Sequence, residues 1–405
     1  MIHIPAEIRR RMVFLAGDTK SVDNRPVPIF EAARVEFLAD LSKALLAKPQ
    51  VRDLPDVIAF AFWCRRAELN RLASRLRKDN YTRIGLGLIF HICPANVPVN
   101  LAFSLAFGLL SGNSCVLRLP SRPSASSDLI SQTVAELLDQ DRHHTLVNSV
   151  LLARFERDDE INCFWLSVAD GRVVWGGDQT VAHLRSLPCR PRSREVAFPD
   201  RYSFCIMQPQ AVLELDDSAL QVLCSRLFND LYLMDQAACS SPQLVAWIGN
   251  QQEVKAAKAR LWPKLAQHAM SRYSLEPVQV MDKYVQSCLK ALDNEKVTAI
   301  KRHDNILYRI ELTGLATNQD EYRGYFGTIH EVTLEAVDSL APIISERYQT
   351  LTYFGLDPIT LRNFVLDHRL RGIDRIVPIG KALDMGAFWD GYDIVGSLSR
   401  VIDVQ

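Results

Sequence analysis

Cys239 lies in Met234-Asp-Gln-Ala-Ala-Cys-Ser-Ser-Pro242, between an apolar-striped helix and an apolar strand. A thiol on such a small-residue elbow is placed as a nucleophile is. Its neighbours leave room for a carbonyl, and the backbone N–H groups of a tight turn can hold an oxyanion. The chemistry would be acyl transfer onto sulfur followed by reduction. The competing reading is a core thiol, and the local sequence leaves both open. Cys224 differs, because it shares a helical face with Leu220, Leu223, Leu227, Phe228 and Leu231, the pattern of a buried packing residue.

A second candidate is His91-Ile-Cys-Pro-Ala-Asn-Val-Pro-Val-Asn100, at a strand end and a helix start. Two prolines stiffen this loop, so Asn96 between them could aim its amide N–H at a developing oxyanion. An Asx-type turn in which Asn96 caps the helix is the alternative. Gly85-Leu-Gly87 lacks the third glycine and falls inside a strand, which excludes a dinucleotide fingerprint. Gly176-Gly177-Asp178 sits at a strand-to-helix junction, where a cofactor phosphate can approach a helix N-terminus.

These residues need elements to hold them. Residues 30–46 and 56–76 carry helical spacing, the latter with Arg65, Arg66, Arg71, Arg75 and Arg77 towards its end. Cations there suit the helix dipole better than a phosphate site. From Arg83 onward the pattern alternates. Strands are expected at 84–92, 114–119 and 173–175, with helices at 98–110, 124–138 and 178–187. The rhythm restarts with strand 202–207, helix 216–233, strand 244–248 and helix 251–268. Such alternation predicts α/β architecture with parallel sheets. Residues 208–215 are the expected crossing between a nucleotide cofactor-binding domain, 1–210, and a catalytic domain, 211–380. Residues 381–405 are expected to return to the first domain or to an oligomer interface.

The bulk properties narrow the function classes. The 405 residues exceed what one hydrophobic core usually serves, and 47 cations balance 47 anions, with no dense basic run to hold nucleic acid. The longest apolar run, 101–110, is too short to cross a bilayer, and no secretory signal is evident. Nine cysteines form an odd set without a Cys-x-x-Cys pair, which fits a reducing cytoplasm. His143-His144 has no ligand-spaced partner, so no metal is expected.

Taken in order, several segments resemble the acyl-CoA reductase family of luminous bacteria, the reductase component of their fatty-acid reductase complex. They are Phe62-Trp-Cys-Arg-Arg66, the Asn96 loop, Gly112-Asn113, Asp235-Gln-Ala-Ala-Cys-Ser-Ser-Pro242, Gly327-Thr-Ile329, Gly372-Ile-Asp-Arg-Ile-Val-Pro-Ile-Gly380 and Trp389-Asp-Gly-Tyr-Asp393. The resemblance runs from about Phe30 to the C-terminus. It implies an aldehyde-dehydrogenase-like fold of two doubly wound α/β domains. It also implies Cys239 as acyl-accepting nucleophile, with Asn96 and the Cys239 N–H as the oxyanion hole.

The same resemblance places Arg118 where relatives put a lysine on the cofactor ribose. Ser121, followed by Arg122, stands where NAD-preferring relatives carry a glutamate, and this favours NADPH. Ala197 replaces the water-activating glutamate of oxidising relatives, and Gly324 the glutamate that holds the nicotinamide ribose. A proton donor is then missing, with Glu195, Asp200 and Asp235 as candidates. The implied activity is NADPH-dependent reduction of a coenzyme A or carrier-bound acyl thioester to the aldehyde. An acyl-transferring synthetase or transferase partner and a homo-oligomer go with it. An aldehyde dehydrogenase working in the oxidising direction and a non-catalytic acyl-carrying subunit are the alternatives.

Overall fold

Apolar runs between Arg83 and Phe198 supply five strands of a six-stranded sheet in this computed structural model, which describes residues 1–76 and 82–404. Its order is Val13–Ala16, Val150–Arg154, Ser114–Leu119, Leu88–Ile92, Gly171–Trp175, Arg194–Phe198. All pairings are parallel except that of Val13–Ala16, which lies antiparallel along the edge. Leu88–Ile92 and Gly171–Trp175 are buried at every residue, as expected of central strands covered on both faces. The alternation read from the sequence omits Val150–Arg154 and the N-terminal strands. Arg77 lies outside the described residues.

Two expected elements are split. The helix expected over 56–76 is two helices, Pro55–Trp63 and Arg66–Leu76. The strand expected over 84–92 is Thr82–Gly85 and Leu88–Ile92, which lie in different sheets. Glycine chemistry causes the second break. Gly87 has φ +137°, and a Cβ on Gly85 would sit 2.2 Å from the Gly112 carbonyl oxygen.

Strand order has a consequence for ligands. The chain leaves Leu88–Ile92 towards one side of the sheet and returns to Gly171–Trp175 on the other. The loops after these adjacent parallel strands therefore diverge and open a crevice at their carboxyl ends. Those loops carry Asn96 and Gly176-Gly177.

Residues Met1–Asp200 with Met385–Gln405 form one unit, and Arg201–Asp384 the other. The crossing falls before 208–215 because Tyr202–Met207 already pairs within the second sheet, and Pro209–Leu213 is a short helix. In the second unit seven strands run in the order Val297–His303, Leu307–Leu312, Thr328–Leu334, Pro242–Ile248, Tyr202–Met207, Tyr348–Phe354, Arg375–Pro378. The first of these is antiparallel to its neighbour. After Met385 the chain is back in the first unit, where Ser399–Ile402 pairs antiparallel with Thr82–Gly85. Among the described residues, no helix is long and apolar enough to cross a membrane.

Candidate active site

Cys239 sits on a turn between the helix Asp217–Tyr232 and the strand Pro242–Ile248. The helix has its apolar face at Leu220, Leu223, Cys224, Leu227 and Leu231, all buried. The chain then turns through two left-handed residues, Asp235 at φ 52° and Gln236 at φ 60°. Strain of that kind persists only where neighbours over-determine it, and here they do. Buried Gln236 donates to the carbonyls of Pro242 at 2.9 Å and Thr328 at 2.8 Å. Its own side-chain oxygen accepts from Gly327 N at 3.1 Å and Thr328 N at 3.0 Å. Gln243 closes the knot, donating to the Gln236 carbonyl at 3.2 Å and accepting from Gly324 N at 2.8 Å.

Lys283 supports the facing loop by donating to the carbonyls of Asn305, Ile306 and Phe326. The elbow is therefore held through Gln236, Gln243 and Lys283. Gln236→Ala leaves several buried donors and acceptors unpaired, an expected loss of ~3 kcal/mol or more. In thermal unfolding the second unit should melt roughly 6–12 °C lower. An unchanged midpoint would show that the knot is not what holds the turn.

Burial separates Cys239 from most other thiols. Cys64, Cys93, Cys115, Cys205 and Cys224 are buried, whereas Cys239 is half-buried. Burial pushes Cys115 and Cys205 up to about 12 and Cys224 up to about 11, so these are inert packing residues near neutral pH.

The Cys239 carbonyl accepts from Ser203 Oγ at 2.7 Å, and Ser203 Oγ in turn accepts from Thr350 N at 3.1 Å. A β-bulge between Ser203 and Phe204 accompanies this arrangement at the start of the strand. Cys239 thus sits at the amino ends of the second sheet's parallel strands, not at the carboxyl ends where ligands of open α/β sheets usually bind.

Asp230, on the helix leading to Cys239, accepts from Gly380 N at 2.6 Å and Ala382 N at 3.0 Å. Burial pushes its carboxyl up to about 7, against the pull of those two donors. A folded-state value above the unfolded one means stability that is full below the unfolded value and lost as pH rises through about 7. The stability difference between wild type and Asp230→Ala should therefore shrink between about pH 5 and about pH 8 in urea unfolding. A difference that grows over that interval would reverse the assignment.

The first unit gathers another set. Asn96 is exposed on the loop after Leu88–Ile92 and lines a concavity of about 480 Å³ with Pro94, Pro120, Arg122, Ser124 and Ser127. The helix that follows is Asn100–Leu110, with Val99 at its N-cap position. His91 is core, its Nδ1 2.7 Å from Ser104 Oγ. Arg118 ends the neighbouring strand with its guanidinium 5.1 Å from the Phe155 ring centre. Its buried Nε has no hydrogen-bond partner among the described residues.

Ser121 donates to Glu156 at 2.9 Å, a carboxylate the sequence reading did not single out. Gly177 caps the helix Asp178–Ser186, and a Cβ there would meet nothing within 4 Å. Asp178 accepts from Asp200 N at 3.3 Å. An open helix N-terminus, an unpartnered arginine N–H and the concavity fit the phosphates of a dinucleotide.

The two departures from relatives have local reasons. Ala197 is a buried core residue of Arg194–Phe198, paired with Val174. At Gly324 a Cβ would lie 2.4 Å from Thr328 Cβ, so no glutamate fits there. Among the candidate proton donors, Glu195 is engaged by both Arg172 and Arg185. Asp235 accepts from Tyr273 Oη at 2.5 Å, four residues from Cys239.

A family model described as acyl-CoA reductase (LuxC) matches residues 36–401. The chain belongs to that family. Among curated LuxC-like relatives, a long-chain acyl-protein thioester reductase of Vibrio harveyi is 27% identical over 174 residues, 41% of this chain and 33% of that protein. A second, from Photobacterium leiognathi, is 22% identical over 240 residues, 55% of this chain and 47% of that one. The matched part thus spans a third to a half of these relatives. The fold is that of aldehyde dehydrogenases. A lactaldehyde dehydrogenase from Escherichia coli superposes with TM-score 0.62 at 12% identity, covering 91% of this chain and 86% of the other. An indole-3-acetaldehyde dehydrogenase of P. syringae gives 0.60 at 12%, covering 92% and 82%.

Proposed function

We propose that this LuxC-family chain reduces an acyl thioester to the aldehyde through a thioester on Cys239. The observation that carries the proposal is a half-buried thiol on an elbow locked by Gln236, in a chain of this family. Cys239 Sγ bonds to the substrate carbonyl carbon, and the carbonyl electron pair moves to oxygen. Asn96 and the Cys239 backbone N–H donate to that oxyanion. As the carbonyl re-forms, the donor's sulfur leaves as a thiolate and takes up a proton. NADPH, when bound, supplies the hydride that reduces the Cys239 thioester. Collapse of the resulting hemithioacetal releases aldehyde and returns the thiol. Ala197 suits this direction, because no carboxylate stands there to activate water against the waiting thioester.

Arg118, Arg122 and the Gly176-Gly177 helix start would hold the cofactor, with Arg122 facing the 2′-phosphate. Glu156 beside Ser121 favours a second reading for the coenzyme, because a carboxylate there can accept from the 2′-hydroxyl of NADH. Steady-state rates discriminate. Arg122→Ala is expected to lower kcat/KM for NADPH roughly tenfold or more and leave that for NADH within about twofold. Equal losses for both coenzymes would remove Arg122 from 2′-phosphate recognition.

The name of the Vibrio harveyi relative supports a carrier- or enzyme-bound acyl donor, and with it a transferring synthetase or transferase partner. Self-association of the chain belongs to the same proposal. The deciding experiment is intact-protein mass spectrometry with a panel of acyl-CoAs and acyl carrier conjugates, before and after NADPH. An adduct on Cys239 that disappears with NADPH as aldehyde forms is the expected result. A protein that neither acylates nor binds nicotinamide cofactor would be an acyl-carrying subunit, and steady aldehyde oxidation without a thiol acceptor would reverse the direction.

A further inference from the structure

Arg375 opens the edge strand Arg375–Pro378 and pairs in register with Thr350. Its guanidinium donates to Thr350 Oγ1 at 3.3 Å and to the carbonyls of Ala382 at 3.0 Å, Lys381 at 3.3 Å and Asp384 at 3.1 Å. Thr350 N donates to Ser203 Oγ, and Ser203 Oγ donates to the Cys239 carbonyl. The cation is therefore fixed to the residue pair that anchors the nucleophile's own backbone. Asp230 anchors the loop that holds it from the other side, through Gly380 and Ala382.

A network this tied has one orientation. A planar fork with several carbonyl acceptors also leaves the guanidinium no freedom to swing away. Burial lowers Arg375 to about 10, while negative charge at Cys239, Asp384 and Asp230 acts in the opposite sense. The coupling is reciprocal: whatever a Cys239 thiolate does for the guanidinium, the guanidinium does for the thiolate.

We propose that Arg375 is a positioning residue that activates Cys239, its fixed positive charge favouring the thiolate over the thiol. The assignment rests on the reading of Cys239 as the nucleophile. Other charged groups near the pair have partners or lie further along its elements. Asp384 pairs with Lys381 at 2.7 Å, and Asp235 accepts from Tyr273. Asp230 accepts two backbone N–H groups, and the positive charge of Arg201 acts on Asp374. Arg375 is linked through Thr350 and Ser203 to the Cys239 carbonyl.

The test uses the intact wild-type protein and two alkylating agents of similar size, anionic iodoacetate and neutral iodoacetamide, with labelling read on the Cys239 peptide. A fixed positive charge acting on the sulfur raises the iodoacetate-to-iodoacetamide rate ratio several-fold above that of a free neutral thiol. The pH midpoint of iodoacetamide labelling should rise by about one unit in Arg375→Gln, a tenfold lower rate below the midpoint, with Arg375→Lys intermediate. Misplaced packing alone does not change the charge preference of the reagent. If Arg375→Gln fails to fold, the wild-type ratio still decides. A wild-type ratio equal to that of the free thiol overturns the role of Arg375 while leaving Cys239 as nucleophile. A Cys239 that neither reagent labels overturns both readings.

Discussion

Cys239→Ala is expected to abolish aldehyde formation, with a loss of at least about 10⁴-fold and no acyl adduct on the protein. No neighbouring group can substitute for the sulfur, since the step is bond formation to it. The same substitution should scarcely alter stability. The elbow is held through Gln236, Gln243 and the Cys239 carbonyl, none of which needs the thiol. Aldehyde release, intact mass and thermal unfolding, measured together, separate a lost nucleophile from a lost fold. Residual turnover above about one per cent of wild type would move the nucleophile elsewhere, with Cys163, Cys189 and Cys288 as the remaining thiols that are not buried.

Asn96→Ala should lower kcat by roughly two to three orders of magnitude while KM stays within about threefold. A donor aimed at an oxyanion acts on charge that exists only in the transition state, so substrate binding hardly senses its loss. The geometry of the loop makes the test clean. Pro94 and Pro98 constrain the backbone on either side of Asn96, and the helix Asn100–Leu110 follows directly. A raised KM with an unchanged kcat would make Asn96 a binding residue instead.

The chain of contacts from Arg375 through Thr350 to Ser203 shows what local sequence does not carry. Arg375 stands inside Gly372-Ile-Asp-Arg-Ile-Val-Pro-Ile-Gly380, a segment that carries the family resemblance, yet nothing local says what its side chain meets. Its relation to Cys239 comes from four parallel strands, paired side by side, that lie apart in sequence. Gln236 is similar. It reads as an ordinary polar residue beside a cysteine, and its four hydrogen bonds exist only because Thr328 and Pro242 meet across neighbouring strands. Glu156 reaches Ser121 from another strand's end in the same way.

Periodicity and turn chemistry, which act over a few residues, made most helices and central strands legible, together with Cys239 on its elbow and Asn96 between its prolines. Boundaries set by backbone approach were not legible. Gly85 and Gly87 read as part of one strand until Gly112 and Asp170 come against them. The sequence alone therefore determined the chemical inventory and the α/β class, because residue type and spacing carry that information directly. Tertiary structure alone decided which carbonyls and charges surround the thiol, because strand order and register are settled by long-range packing that no local window contains.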